Sequence, residues 1–198
     1  MTEFIVHRIN KAADLKNIPT SFGIELDLRD RDGKIILEHD PFNYKNSDEF
    51  DDYIKHYQHQ TLILNVKSER IELEVLKILR KYNIKKYFFL DSSFPMIVNL
   101  SKSGERNIAL RFSEFEGLDT IRNMAGKVNW VWVDCFSKLP INRDIFIELK
   151  KLNYKLCLVS PDLLNRVEDI STYKKYFVSE GIEFDAICTK SHNINFWK

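Results

Sequence analysis

Two acidic side chains stand two residues apart in the otherwise apolar segment 23–27. Alternate side chains of a β-strand point to the same face, so Glu25 and Asp27 are expected to lie side by side. Adjacent carboxylates in apolar surroundings repel each other and are costly to desolvate unless a cation lies between them. Oxygen ligands suit a hard divalent cation, Mg²⁺ or Ca²⁺. The alternative is that one or both carboxylates pair with a base such as Arg29 or Arg31.

A histidine is expected to reach the same region through a β-hairpin. Asp32-Gly33, followed by a β-branched run, is a hairpin signal. A three-residue loop at 31–33 would place His39 opposite Glu25 on the same face, whereas a two-residue loop would turn His39 to the other face. We predict the three-residue loop, because it brings the histidine next to the carboxylates.

A second histidine, His7, ends the first apolar run and is expected to approach the carboxylates from the other side. Two imidazoles beside a cation suit phosphodiester cleavage, because one can take a proton from the attacking hydroxyl while the other protonates the leaving oxygen. Arg8 and the metal would neutralise the charge on the phosphoryl oxygens, and Lys67 is placed to help. The combination predicts a phosphodiesterase site.

Eight short apolar runs recur along the chain and would position these side chains. They are nearly continuous in hydrophobicity, which is typical of strands buried on both faces. Segments with helical spacing lie between most of them, and alternating strands and helices favour a parallel sheet in an α/β fold. The runs are 4–6, 23–28, 62–66, 87–90, 108–112, 130–133, 155–159 and 185–188.

The count of eight favours a (β/α)8 barrel of the TIM type over an open doubly wound sheet. A doubly wound sheet usually has fewer strands and, if it binds a dinucleotide, a glycine-rich turn after its first strand. Here the polar segment 7–10, without glycine, follows the first run. The 198 residues lie at the lower end of the range for this barrel. We therefore expect a single domain over residues 1–198, with short helices and some helices missing.

Several later runs also end in polar side chains, as the active-site end of such a barrel would. Arg111, Glu114 and Asp134 are candidates for lining a pocket there. Their alternative interpretation is a solvated loop with a salt bridge.

Composition narrows the classes of partner. The formal net charge is +1, with 30 basic and 29 acidic side chains, so the chain lacks the basic character of a nucleic-acid-binding domain. A small acidic or phosphorylated ligand is compatible with a locally basic pocket. No signal peptide and no membrane span are expected. Three widely spaced cysteines favour buried, reduced thiols and a cytoplasmic protein.

The residues that carry this chemistry resemble the opening signature of the glycerophosphodiester phosphodiesterase family, within the larger phosphatidylinositol-phospholipase-C-like group. The matching positions are His7-Arg8, Glu25-x-Asp27, Asp32-Gly33 and His39-Asp40, and weaker similarities at 64–67 and 186–189 extend the resemblance over most of the chain. The resemblance implies a barrel enzyme of lipid metabolism. It assigns acid–base catalysis to His7 and His39, metal binding to Glu25 and Asp27, and phosphate contacts to Arg8 and Lys67.

Three positions depart from the family pattern. Ile9 replaces the glycine of His-Arg-Gly, and Ile18-Pro19-Thr20 stands where the family has Glu-Asn-Thr. Asn65 occupies the place of a third acidic metal ligand. An amide oxygen can still bind Mg²⁺ or Ca²⁺, but it adds no charge and should weaken binding. Glu114, Glu116 or Asp134 are candidates for a compensating ligand.

Three functions remain open from the sequence. The leading hypothesis is metal-dependent hydrolysis of a small glycerophosphodiester or sugar phosphodiester. Asn65 and the missing Glu-Asn-Thr favour instead a barrel that has lost hydrolysis and binds a phosphorylated ligand or partner. A metal-dependent lyase or aldolase on the same barrel is the third, although it leaves His39 unexplained. The sequence indicates neither the head group of the substrate nor the oligomeric state.

Overall fold

The computed structural model describes every residue from Met1 to Lys198 and contains ten strands and eight α-helices. The strands are β1 Glu3–Val6, β2 Gly23–Arg31, β3 Lys34–Leu37, β4 Asp48–Glu49, β5 Leu62–Val66, β6 Tyr87–Leu90, β7 Ala109–Phe112, β8 Trp130–Val133, β9 Lys155–Val159 and β10 Ala186–Thr189. The α-helices are α1 Ala12–Leu15, α2 Phe50–Ile54, α3 Glu72–Lys81, α4 Phe94–Lys102, α5 Asp119–Asn123, α6 Arg143–Lys151, α7 Asp169–Glu180 and α8 Ile194–Trp197.

The chain divides into two compact units, one of residues 6–99 and one that combines residues 1–5 with 100–198. In the first unit the strand order is β4-β3-β2-β5-β6, with β2, β5 and β6 parallel to one another. In the second unit β10, β9, β8 and β7 follow one another as parallel neighbours. The expectation of a single domain stays a prediction.

All eight strands expected from the apolar runs are present. β5, β8 and β10 are buried along their whole length, which explains why their hydrophobicity does not alternate. The parallel α/β architecture is therefore confirmed. β3 and β4 bring the number of strands to ten. Closure of the eight parallel strands into a barrel stays a prediction.

The helices are short, as the chain length requires. The longest, α7, has 12 residues, whereas α1 and α8 have four each. α3 buries Val75, Leu76 and Leu79 along one stripe, so its stability comes from packing against its unit as well as from backbone hydrogen bonds. None of the helices is long and apolar enough to cross a membrane.

The hairpin between β2 and β3 differs from the prediction. Arg31 pairs with Lys34, which leaves a two-residue loop of Asp32 and Gly33, with φ of 51° and 76°. Two successive left-handed residues are the requirement of a type I′ turn, which Asp-Gly satisfies and which matches the twist of the flanking strands. The predicted three-residue loop, and the register that placed His39 opposite Glu25, are therefore wrong.

Candidate active site

Glu25 and Asp27 lie on one face of β2, and the side chain of each is 1% exposed. β2 pairs in parallel with β5, and Asp27 lies directly beside Asn65 in that pairing. The two strands therefore bring three oxygen-bearing side chains to one place. We call Glu25, Asp27 and Asn65 the carboxylate–amide cluster.

Glu25 is held by the segment that follows β1. The backbone N–H of Arg8 donates to Glu25 Oε2 over 2.7 Å, and His7 Nε2 lies 3.7 Å from the same oxygen. Asn65 Nδ2 donates to Glu25 Oε1 over 2.9 Å. Both oxygens of Glu25 thus have a neighbour that stabilises negative charge, and His7 lies close enough to interact with it electrostatically.

Asp27 is held by Asn10 in a two-point contact. Asn10 Nδ2 donates to Asp27 Oδ2 over 2.9 Å, and the backbone N–H of Asp27 donates to Asn10 Oδ1 over 2.8 Å. Arg8 Nε lies 3.6 Å from the same Oδ2. Neither Arg29 nor Arg31 pairs with the carboxylates: Arg29 donates to the carbonyls of His39 and Lys67, and Arg31 contacts the turn and loop beyond β2.

Two oxygens of the carboxylate–amide cluster have no hydrogen-bond partner although they are buried. They are Asp27 Oδ1 and Asn65 Oδ1. Buried polar atoms are normally satisfied, so two orphaned acceptors on neighbouring strands fit a cation that both would bind. The structure contains no group of three His, Cys, Asp or Glu side chains that could hold a metal ion, and the third oxygen-bearing side chain of this cluster is the Asn65 amide.

The pKa values of Glu25 and Asp27 are both raised. Burial raises the pKa of Glu25, and the hydrogen bonds from Asn65 and Arg8 only partly oppose it. Burial, and then the negative charge of Glu25, raise the pKa of Asp27. Without a cation the pair therefore resists carrying two negative charges. A divalent ion would relieve this repulsion.

Two basic side chains reach Asp27 from different elements. Lys67 follows β5. Its Nζ lies 3.9 Å from Asp27 Oδ1, the oxygen without a hydrogen-bond partner, and 3.2 Å from Asp91 Oδ2. Arg8 approaches the other oxygen and is about half exposed, which leaves part of its guanidinium accessible to a ligand. The site thus combines a buried negative pair with accessible positive charge, an arrangement that suits an anionic substrate.

The departure at Ile9 has a simple structural reason. The left-handed backbone conformation in this segment falls on Arg8, with φ of 56°, and not on the residue after it. Glycine is therefore not required at position 9. The N–H of Ile9 donates to the Glu25 carbonyl, and Tyr53 Oη donates to the Ile9 carbonyl, so both polar groups of its backbone are satisfied.

His39 lies just beyond the end of β3, outside the regular pairing. Its carbonyl accepts two hydrogen bonds from the Arg29 guanidinium, at 3.2 and 2.7 Å. Its Nδ1 lies 2.7 Å from Asp40 Oδ1, and this contact lowers the pKa of Asp40. The charge of His39 also acts to lower the pKa of Asp27, so the imidazole is within electrostatic range of the carboxylate–amide cluster. Strand alternation does not determine its direction here, because the chain has left the ladder.

The other candidate pocket residues belong to the second unit and form their own cluster. Arg111 Nη2 lies 2.6 Å from Asp134 Oδ2, and Arg111 Nε lies 3.2 Å from Glu116 Oε1. Glu114 accepts hydrogen bonds from the backbone of residues 136–138 and from the Ser137 hydroxyl. We call Arg111, Asp134 and Glu116 the Arg111 cluster. A compensating metal ligand from these residues stays a prediction.

Of three further residues near the site, only Arg29 was considered from the sequence, as a possible partner of the carboxylates. Asn10, Asp91 and Arg29 contact Asp27, Lys67 and the His39 backbone respectively. The one available signal was position: Asn10 stands three residues after His7, and Asp91 follows the apolar run of β6. Neither position indicates which side chain it would meet.

Solved structures of known proteins share the fold of this chain. No protein-family model matches the chain, and no curated sequence matches it significantly. A structure titled "Putative glycerophosphoryl diester phosphodiesterase", from Agrobacterium tumefaciens str. C58, matches with a TM-score of 0.66 and 12% identity over 98% of this chain and 96% of that one. A glycerophosphodiester phosphodiesterase from the same strain matches with a TM-score of 0.64 and 13% identity, over 95% of this chain and 96% of that one.

The chain therefore has the fold of glycerophosphodiester phosphodiesterases, in a divergent form. The resemblance inferred from residues 4–41 and the weaker similarities further on is confirmed at the level of the fold. Activity and the roles of individual residues do not follow from a likeness at this identity.

Proposed function

We propose that this protein hydrolyses a small phosphodiester, of the glycerophosphodiester or sugar-phosphodiester class, with a divalent cation. The observation that carries the proposal is the pair of orphaned buried oxygens, Asp27 Oδ1 and Asn65 Oδ1, beside Lys67. A site that leaves two acceptors unsatisfied and places a lysine 3.9 Å away suits a cation and an anionic ligand bound together. The fold shared with two phosphodiesterase structures is consistent with this chemistry.

Glu25, Asp27 and Asn65 would hold the cation. Their donor set of two carboxylates and one amide oxygen suits Mg²⁺ or Ca²⁺ better than a soft transition metal. When bound, the cation would supply Lewis-acid stabilisation of the phosphoryl oxygens. Asn65 also donates to Glu25, so it would have to serve as a ligand through its oxygen while its nitrogen holds the carboxylate.

The two histidines would exchange protons with the substrate. Asp40 occupies Nδ1 of His39, which leaves Nε2 as the ring atom that takes or gives a proton. Glu25 Oε2, 3.7 Å from His7 Nε2, would stabilise the imidazolium form of His7 after it accepts a proton. One histidine then acts on the attacking hydroxyl and the other on the leaving oxygen.

Arg8 and Lys67 would bind the phosphodiester anion. Lys67 is held between Asp27 and Asp91, at 3.9 and 3.2 Å, so its ammonium is oriented before substrate arrives. Pre-orientation lowers the entropic cost of binding and directs positive charge to the transition state. The guanidinium of Arg8 is half exposed and offers several further N–H donors.

One observation favours a second candidate, a domain that binds a phosphorylated ligand without hydrolysing it. The third metal-binding position is a neutral amide, and its nitrogen is engaged by Glu25. A cation bound by two carboxylates and an amide is held more weakly than one bound by three carboxylates. In this case Arg8 and Lys67 would bind the phosphate, and the histidines would have no catalytic role.

The two candidates are separated by measuring turnover of glycerophosphodiesters and a chromogenic phosphodiester, with Mg²⁺, Ca²⁺, Mn²⁺ or a chelator. We expect metal-dependent hydrolysis that His7→Ala and His39→Ala each reduce by about 10²- to 10⁴-fold. His56→Ala is the matched control, because His56 is exposed in the turn after α2 and has no role in the proposed chemistry. Phosphate-ester binding without turnover of any substrate would favour the binding domain.

A further inference from the structure

Three consecutive residues attach the segment after β1 to β2, and the last of them has no role in the proposed chemistry. The N–H of Arg8 donates to Glu25 Oε2, and the N–H of Ile9 donates to the Glu25 carbonyl. Asn10 makes the third contact, and it is the one that uses a side chain. Both ends of its amide contact Asp27: the oxygen accepts from the Asp27 N–H, and the nitrogen donates to Asp27 Oδ2.

Asparagine suits this contact for a chemical reason. The Asp27 N–H requires an acceptor and the Asp27 carboxylate requires a donor, so the orientation of the Asn10 amide is determined by its partners. Aspartate at position 10 could accept from the N–H but would repel Oδ2. Glutamine carries both groups but is one methylene longer, and alanine carries neither.

The contact divides the two oxygens of Asp27 between two roles. Oδ2 receives Asn10 Nδ2 at 2.9 Å, with Arg8 Nε at 3.6 Å, whereas Oδ1 is buried and has no hydrogen-bond partner. A carboxylate hydrogen-bonded on one oxygen cannot rotate about its last bond without losing that bond. Oδ1 is therefore kept available beside the equally unsatisfied Oδ1 of Asn65.

We infer that Asn10 is a positioning residue that fixes Asp27 so that its Oδ1 is the oxygen presented to the divalent cation. The inference rests on the proposed metal-dependent function and extends it to a residue outside the ligand set. Mutation of a residue that hydrogen-bonds to a metal ligand typically lowers metal affinity by about 10- to 100-fold, and we expect an effect of this size for Asn10.

The test is Mn²⁺ binding, followed by the loss of the free-ion electron paramagnetic resonance signal, without substrate. We expect Asn10→Ala to weaken Mn²⁺ binding by about 10- to 100-fold, and Asn10→Gln to weaken it by less. Raising the Mn²⁺ concentration should restore most of the turnover of both variants. Asn10→Gln retains the amide and serves as the second variant if Asn10→Ala does not fold.

Asn142→Ala is the matched control. The Asn142 side chain accepts from the N–H of Ile145 at the start of α6, so its loss lowers the melting temperature without touching the carboxylate–amide cluster. Unchanged Mn²⁺ affinity in folded Asn10 variants would overturn the inference alone, and so would an equal loss of affinity in Asn142→Ala. Absence of Mn²⁺ binding by the wild-type protein would overturn the proposed metal site and the inference together.

Discussion

The carboxylate–amide cluster and the Arg111 cluster contain similar residues, but the hydrogen bonds and ion pairs of their oxygens differ. In the Arg111 cluster, Asp134 Oδ2 pairs with Arg111 and Asp134 Oδ1 accepts from the N–H of Cys135. Glu116 Oε1 pairs with Arg111, and its Oε2 accepts from the Ser113 hydroxyl. Every carboxylate oxygen of this cluster thus has a partner from the protein itself. This cluster therefore connects the segments after β7 and β8 through contacts within the protein.

The carboxylate–amide cluster is incomplete by the same standard. Asp27 Oδ1 and Asn65 Oδ1 are buried without a hydrogen-bond partner, and Lys67 Nζ lies 3.9 Å from Asp27 Oδ1, beyond hydrogen-bond distance. Polar groups cost free energy when they are buried unsatisfied, and a bound cation would remove that cost at two neighbouring oxygens. The two clusters therefore differ in their unsatisfied oxygens and not in the kinds of charged side chain that they contain.

The largest expected effect is on turnover. Asp27→Asn should reduce kcat/KM for a phosphodiester by about 10³-fold or more, because it removes a charged metal ligand and metal ions contribute several kcal/mol to catalysis. Asp134→Asn, the corresponding change in the Arg111 cluster, should leave kcat/KM within a few-fold of wild type. Steady-state kinetics on both variants checks this. Equal losses in the two variants would remove the distinction between the clusters.

The next effect is on stability, and it is expected in the Arg111 cluster. Arg111→Ala leaves the buried Asp134 without its ion-pair partner, so we expect the free energy of unfolding to fall by about 3 kcal/mol. Arg122→Ala is the control, because Arg122 pairs with Glu148 at 2.6 Å but is about half exposed, and such a pair contributes about 1 kcal/mol or less. Urea denaturation measures both. A loss in Arg111→Ala no greater than that in Arg122→Ala would show that the Arg111 cluster is not a stabilising element.

A smaller effect is expected from adding a charge at Asn65. Asn65→Asp places a third carboxylate beside Glu25 and Asp27, so divalent-metal affinity should rise by about tenfold while the metal-free protein becomes less stable. Mn²⁺ titration and thermal unfolding in chelator measure the two changes. Asn107→Asp, in the loop before β7, is the control for an added charge outside the site. Lower metal affinity in Asn65→Asp would contradict the assignment of Asn65 as an oxygen ligand.

The smallest effect is a pH dependence of opposite sign for Glu25 in the first unit and Glu114 in the second. Burial raises the folded-state pKa of Glu25, so its contribution to metal-free stability decreases as the pH rises from about 4 through that raised pKa. Burial acts to raise the pKa of Glu114 as well, but hydrogen bonds from its own backbone, Ser137 and Lys138 outweigh it and lower the pKa to about 2. The contribution of Glu114 is therefore present above about pH 4 and is lost as the pH falls toward 2.

Urea midpoints measured in chelator across this pH range test both signs. Glu25→Gln should flatten the decrease on the alkaline side, and added Mn²⁺ should do the same in the wild-type protein. Glu114→Gln should flatten the decrease on the acidic side. Identical pH profiles for wild type and Glu25→Gln would show that the Glu25 carboxyl does not titrate differently in the folded and unfolded states.

Much of the fold was predictable because it depends on local hydrophobic pattern. Eight apolar runs gave eight strands, and the parallel architecture followed from the helical segments between them. The hairpin was recognised but its register was not. A one-residue difference in loop length depends on the φ angles of Asp32 and Gly33. The three-residue loop was chosen because it would bring His39 to the carboxylates by strand alternation. His39 lies beyond β3, so strand alternation does not determine its position and gives no reason to prefer that loop.

The sequence by itself determined that Glu25 and Asp27 share a buried face, because strand alternation is a local rule. It also predicted the strand that carries Asn65 and the strands that precede His7 and Lys67. Only the tertiary structure decided which partners the carboxylates have. The Asn10–Asp27 contact joins residues 17 apart in the chain, and the Asn65–Glu25 contact joins residues 40 apart. The difference between the carboxylate–amide cluster and the Arg111 cluster arises from such distant hydrogen bonds, because whether an oxygen is satisfied depends on atoms that only folding brings together.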